Sequence, residues 1–459
     1  MIRPGRTAQG WARLAVEAAL VVAACVLLQV LAERTNRRID LTPTRALSLA
    51  DPTRAVLAEV TGPIVITVFH RRGERGTFAG LLQRLRAENP RLEFALYDLD
   101  RYPERARGFG ITQYGRAAIE YRGRRVVAPA LPEEALAGGI LEAVRGRRRR
   151  AVFTTGHGER TPDGSPRGVG RLVAGLEEQG FTVDAVSLRD GALPPETDLV
   201  IVAGPQHDLL PEELVVLGRH LEGGGGLLLL LEPGALPSVE RLLAPLGITL
   251  RNDMIVDHER RLVATDGLAA VVEQFRRGNP ISEPARNPIE SGVVLPSART
   301  VDVGAGVPGV AAESIARTAP SAWAMADPER ARRGEEPSAA AGDVRGPLSV
   351  MVLAELAAPG AERRPGRLLV VGDADFASDA YLDLLGNRDI AFNATAWTGG
   401  ESALAGARPH EVPEVQRPLS PLVLTESQAR RLLAMVAGVL PGLMLLTGVV
   451  VVTLRRRRG

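Results

Sequence analysis

Cysteine is almost absent: the chain has one, Cys25, and it lies inside an apolar run. That excludes an internal disulfide, a cysteine-based metal site and a cysteine nucleophile in the body of the protein. Aromatic residues make up only 4%. No basic face interleaves with them, so nucleic acid is not expected as a partner. Neither sign of charge dominates, since the formal net charge is +2. The six histidines, at 70, 157, 207, 220, 258 and 410, are dispersed. None sits in a His-Glu-x-x-His spacing. Gly223 to Gly226 is not followed by Gly-Lys-Ser/Thr, so it is not a phosphate loop. There is no Gly-x-Ser-x-Gly elbow.

Long apolar runs are present, one near each end. Residues 432–454, LLAMVAGVLPGLMLLTGVVVVTL, carry no charge. At ~1.5 Å per residue such a helix crosses the ~30 Å of bilayer hydrocarbon. Pro441 is tolerable there, because neighbouring helices satisfy the freed carbonyl. Arg455 to Arg458 follow at once and place the tail, 455–459, in the cytoplasm. Residues 14–32, LAVEAALVVAACVLLQVLA, read as an uncleaved first span, because the run leads into Glu33-Arg34-Thr35-Asn36 and not into an Ala-x-Ala site. The expected topology is two-pass in a bacterial inner membrane, with residues 1–13 also cytoplasmic and the bulk outside.

Between the spans the pattern is mixed α/β. Ile64 to Phe69 is a short β-branched strand, Phe78 to Glu88 a helix, Leu92 to Leu99 a strand and Asp100 to Gly108 a helix. Ala117 to Tyr121 and Arg124 to Ala128 form a hairpin around Arg122-Gly123. This order over 40–145 resembles a thioredoxin-like domain. Phe69-His70-Arg71-Arg72 stands where Cys-x-x-Cys belongs, which leaves a scaffold or binding role. The arginines 147–150 read as a solvated link, with a lesser option of binding anionic lipid or polymer. Strands and helices then alternate through 151–400: strands at 151–155, 183–188, 198–203, 226–231, 348–356 and 367–372, helices at 168–179, from Pro211, 236–246, 377–385 and 389–398. That is a doubly wound α/β domain. Residues 278–346, rich in Gly, Pro, Ala and Ser, read as a partly ordered excursion, and 401–431 as a polar juxtamembrane link.

In open α/β sheets ligands bind beyond the C-terminal strand ends. Three loops should share that edge: Gly156-His157-Gly158-Glu159, Gly204-Pro205-Gln206-His207-Asp208 and Asp373-Ala374-Asp375. His157, Glu159, Gln206, His207, Asp373 and Asp375 are the candidate ligand-binding residues. A His, a Glu and two Asp could also make a metal site or an acid/base pair, the chemistry of an envelope hydrolase. Equally, glycines and short polar residues make sharp strand-to-helix turns. The expectation is a non-enzymatic role with no cofactor.

Taken in order, "DLTPTRALSLADPTRAVLAEVTGPIVITVF", "FTTGHGERTPDG", "DLVIVAGPQHDLLPEELVVLGRHLEGGGGLLLLLEP", "IARTAPSAWA" and "VVGDADFASDAYLDLLGNRDIAFNATAWTGGE", bracketed by the two apolar runs, resemble the GldG-type auxiliary component of an ABC transport system. The resemblance implies an α/β domain like that of class I glutamine amidotransferases, without the amidotransferase cysteine. It also implies a membrane permease and a cytoplasmic ATPase as partners, since no ATPase signature lies in this chain. It reads the Gly-His-Gly-Glu segment as a strand-end turn, with a ligand role left open to His157 and Glu159. Gliding motility, after which the family was named, is not carried over.

Overall fold

The computed structural model describes residues 49–128, 131–259, 268–279, 281–282, 292–358 and 364–400, together with Met435. The apolar runs 14–32 and 432–454 lie outside the described residues. Among the described ones no helix is long and apolar enough to cross a membrane.

The first domain begins with helix α1 (Asp51–Glu59), started by Pro52 at its first turn. Strand β1 (Ile64–His70), helix α2 (Arg75–Glu88), strand β2 (Leu92–Asp98) and the short helix α3 (Pro103–Gly108) follow. A hairpin, β3 (Arg116–Tyr121) and β4 (Arg124–Ala128), and helix α4 (Glu133–Arg145) complete it. The sheet order is β2-β1-β3-β4, with β1 parallel to β2 and antiparallel to β3. Arg122 and Gly123 both take positive φ at the hairpin tip, the conformation a two-residue loop requires.

The second domain is built on eight strands. In chain order they are β5 (Arg149–Thr155), β6 (Phe181–Ser187), β7 (Thr197–Ala203), β8 (Gly226–Leu230), β9 (Gln274–Phe275), β10 (Val310–Arg317), β11 (Ser349–Leu356) and β12 (Gly366–Val371). They lie in the order β9-β10-β11-β12-β8-β7-β5-β6. The five from β12 to β6 are parallel, while β11, β10 and β9 add an antiparallel wing. Successive leucines of β8 explain its continuous apolar run. Leu228 and Leu230 join one core with α5 (Gly170–Glu178) and α8 (Asn387–Thr398). Leu227 and Leu229 join another with α6 (Pro211–Glu222) and α7 (Pro237–Leu243). A strand covered on both faces has no polar side to show.

Three expectations are corrected. Residues 292–346 are not a loose excursion: they supply β10 and the small strands Val293–Leu295, Val301–Val303 and Trp323–Met325. Their alanines pack where larger residues would signal a strand, and Ala316, Ala322 and Ala324 are buried. No helix spans 377–385, because the N–H groups of Asp379 and Ala380 donate to the carbonyls of Gly168 and Pro166, not to an i−4 partner. The arginines 147–150 are not all a solvated link. Arg149 and Arg150 begin β5. Arg149 is buried with its guanidinium 3.9 Å from the Phe181 ring centre, and burial lowers its pKa to about 9.

The described residues of the two domains, between 49 and 400, pack as parts of one compact unit. Ala396 of α8 belongs to the core of the first domain. On α4, a Cβ at Gly138 would sit 2.6 Å from the Gln179 carbonyl oxygen. Arg149 Nη2 donates to that same carbonyl at 2.9 Å.

Candidate functional site

Strand β5 has β6 on one side and β7 on the other, so the chain switches direction between β5 and β7, where doubly wound sheets bind ligands. The loops after β5 and β7 meet there. The backbone N–H groups of Gln206 and His207 both donate to the His157 carbonyl, at 2.8 and 3.0 Å. Gly158 makes the approach feasible: its φ is +81°, and a Cβ there would press on the Gln206 side chain at 3.0 Å.

His157 and Glu159 turn inward. The Glu159 carboxylate accepts the His157 N–H at 2.7 Å, closing the turn on itself. His157 Nε2 lies 2.7 Å from Glu213 Oε2, within ion-pair range but off the axis of a hydrogen bond. Glu213 is 1% exposed, and its Oε2 accepts the Leu210 N–H at 2.8 Å, which ties off the start of α6. The β5 loop is therefore clamped to the N-terminus of α6. Gln206 and His207 are exposed at the mouth.

The third loop belongs to a different cluster. Arg160 reaches Glu232 Oε1 at 3.1 Å and also pairs with Asp375 Oδ1. Glu232 Oε1 accepts the N–H groups of Ala374 and Asp375, both at 3.1 Å, and Oε2 accepts the Ser297 hydroxyl at 2.9 Å. Burial, then repulsion from Asp375, holds the Glu232 pKa above the usual carboxylate range. Asp373 is fully buried and accepts from the Ser297 and Phe376 N–H groups at 2.7 and 2.8 Å. Burial, then Glu232, pushes its pKa well up. Below them Arg299, 0% exposed, donates to the carbonyls of Arg251, Glu232 and Gly234. Burial lowers its pKa to about 10, so it stays cationic at neutral pH.

Of the six residues expected at this edge, His157, Glu159, Gln206 and His207 come together, and Asp375 joins through Arg160. Asp373 is spent on tying its own loop to Ser297. Among the described residues no three His, Cys, Asp or Glu side chains group as a metal site needs, so the alternative of a His/Glu/Asp metal set does not form. Sequence reasoning missed Arg160, Glu213, Glu232 and Arg299. Glu232 had a signal: it is the first charge after the fully apolar Leu227 to Leu231. Arg299 had none.

The family model described as ABC-type uncharacterized transport system matches residues 148–398, the whole second domain with all three loops. The chain belongs to that family. It is an auxiliary component of an ABC transport system. No curated protein matches the auxiliary component. Among solved structures, the mmIFT52 N-terminal domain is 20% identical, with 54% of this chain and 97% of that one covered and a TM-score of 0.40. A ThuA-like protein from Parabacteroides merdae is 11% identical, with coverages of 61% and 99% and a TM-score of 0.34. A protein disulfide oxidoreductase from Aeropyrum pernix is 14% identical, with coverages of 33% and 77% and a TM-score of 0.19. These likenesses are too loose to bear on function.

Proposed function

We propose that the chain is a GldG-type, membrane-anchored auxiliary subunit that works with a separate permease and ATPase and catalyses no reaction itself. The family match over 148–398 carries this reading. The sequence adds two apolar runs, 14–32 and 432–454, each long enough to anchor the chain, and four arginines after the second. Both termini then lie in the cytoplasm, and the two domains face the other side of the inner membrane. The first domain serves as a thioredoxin-like scaffold without redox chemistry, since Phe69-His70-Arg71-Arg72, at the end of its first strand, holds no cysteine.

The non-enzymatic part of the reading draws on the geometry of the C-terminal strand edge. Its acids and cations are engaged with backbone N–H groups and with one another, which fixes loops and leaves few groups to attack a substrate. A transported ligand would meet the edge through Gln206 and His207, with His157, Glu159, Asp373 and Asp375 behind them. Glu159 Oε1 and Arg160 Nε, buried without a hydrogen-bond partner, favour a polar contact at this point. Protease added to intact spheroplasts tests the topology. Degradation of the two domains with survival of a C-terminal tag is expected. An intact body with a shaved arginine tail would invert the topology and remove the reading.

A further inference from the structure

At the opposite, N-terminal edge of the parallel strands lies an open cleft of about 810 Å³. Helices α4, α6 and α8 end there, and strands β7, β8 and β12 begin there. Arg145, Arg147, Arg219, Arg364 and Arg367 line it. Asp198 is the one acidic residue in the lining.

The bland account is that these arginines neutralise the helix C-termini, each worth roughly half a negative charge. Three of the five are already engaged by an acid or a carbonyl. Arg367 donates to the Trp397 carbonyl at 2.9 Å and pairs with Glu355 at 3.0 Å. Arg147 forks onto Asp198 with contacts of 2.7 and 2.6 Å. Arg145 lies 3.8 Å from Glu59. Arg219, in the last turn of α6, fits the bland account by position and Arg364 does not, but both are exposed and neither forms an ion pair with a described residue. Burial lowers the Arg145 pKa, and repulsion from Arg364 and Arg147 adds to that. The cleft therefore keeps a surplus of positive charge.

The glycine turn on its floor does not supply the binding groups. The N–H groups of Gly223, Gly224 and Gly225 are used inside the turn, donating to the carbonyls of Arg219, Leu221 and His220. His220 donates from Nε2 to the Gly226 carbonyl at 3.0 Å, and burial lowers its pKa, so it is neutral. Recognition falls to guanidinium forks arriving from separate elements. A planar carboxylate meets one fork well, whereas the several oxygens of a phosphate group accept from forks in different directions. The volume is in the range of small-ligand sites and exceeds what one inorganic ion fills.

We propose that this cleft binds a phosphate-bearing anion, held by Arg219 and Arg364. It is independent of the transport reading and of the strand edge at which that reading places its ligand. The source is either a free phosphate compound or a phospholipid headgroup. The test is isothermal titration of the full chain in a neutral maltoside detergent with pyrophosphate, and with glycerophosphoglycerol as the soluble form of a lipid headgroup. Saturable binding of at least one probe is expected, weakened about tenfold or more in the R219A/R364A double variant and in R364E alone. Tighter binding of pyrophosphate assigns a free phosphate source, and tighter binding of glycerophosphoglycerol assigns a headgroup. Binding of neither probe, or equal affinity in wild type and both variants that melt like wild type, overturns the proposal.

Discussion

At the C-terminal edge of the main sheet, Arg160 meets Glu232 and Asp375, and Arg299 is roofed by three carbonyls. At the N-terminal edge, Arg219 and Arg364 face an open cleft without an ion-pair partner among the described residues. The same residue type is structural at one edge and available at the other. What separates them is the supply of acceptors. Glu232, Asp373 and Asp375 crowd the first edge, and Asp198, already forked by Arg147, is the one acid lining the second. Charge alone therefore does not mark a binding site in this fold. Unused charge does.

The largest break in that contrast is expected from Arg299→Ala. It removes a fully buried cation, leaves the Glu232, Gly234 and Arg251 carbonyls without their donor, and opens a cavity. A loss of about 3 kcal/mol or more in denaturant unfolding is the expected result. Next is Gly138→Ala on α4. Alanine gains about 1 kcal/mol of helix propensity. The Gln179 backbone, 2.6 Å from the new Cβ, has to move, and overpacking of this kind costs about 1–3 kcal/mol. Net destabilisation, read as a lower melting temperature, would show that the two domains are braced and not merely tethered.

Glu232→Gln is smaller and shows its effect in pH dependence. The pKa values of Glu232 and Asp373 are raised in the folded state. The native state then holds these protons more tightly than the unfolded chain, and their stabilising contribution is complete below the ordinary carboxylate pKa. It is lost as pH rises through the raised values. Asp343, Asp163 and Glu335 are shifted downward and act in the opposite sense, so the useful quantity is the difference between variant and wild type. The variant should lose less stability than wild type between mildly acidic and neutral pH. An identical slope would mean that the carboxylate cluster does not titrate as a unit. The smallest stability effect belongs to the R219A/R364A double variant. Two exposed arginines with no ion pair should change stability by no more than about 0.5 kcal/mol, in contrast to Arg299. A loss of several kcal/mol would make the cleft arginines structural as well.

The sequence made the parallel strands legible because β7, β8 and β12 are covered on both faces and each carries a run of four or more apolar residues. It hid β10, VAAESIAR, because its exposed and buried positions carry alanine alike. The loop residues His157, Gln206 and His207 were placed at the right edge by strand order alone. Their roles were not visible, since His157 depends on Glu213, from a helix beyond the next two strands. The basic cleft was invisible for a simpler reason. Its arginines come from α4, the link before β5, α6, the approach to β12 and β12 itself, and no short window of sequence holds more than two of them.

The membership of the chain in a transport system implies that it does not act alone. Purification of the tagged full chain in mild detergent, co-expressed with the genes that flank its own, tests this most directly. The account predicts that a multi-span permease and an ATPase elute with it in fixed proportion. A tagged chain that elutes by itself, while both of those proteins are present in the same membranes, would contradict it.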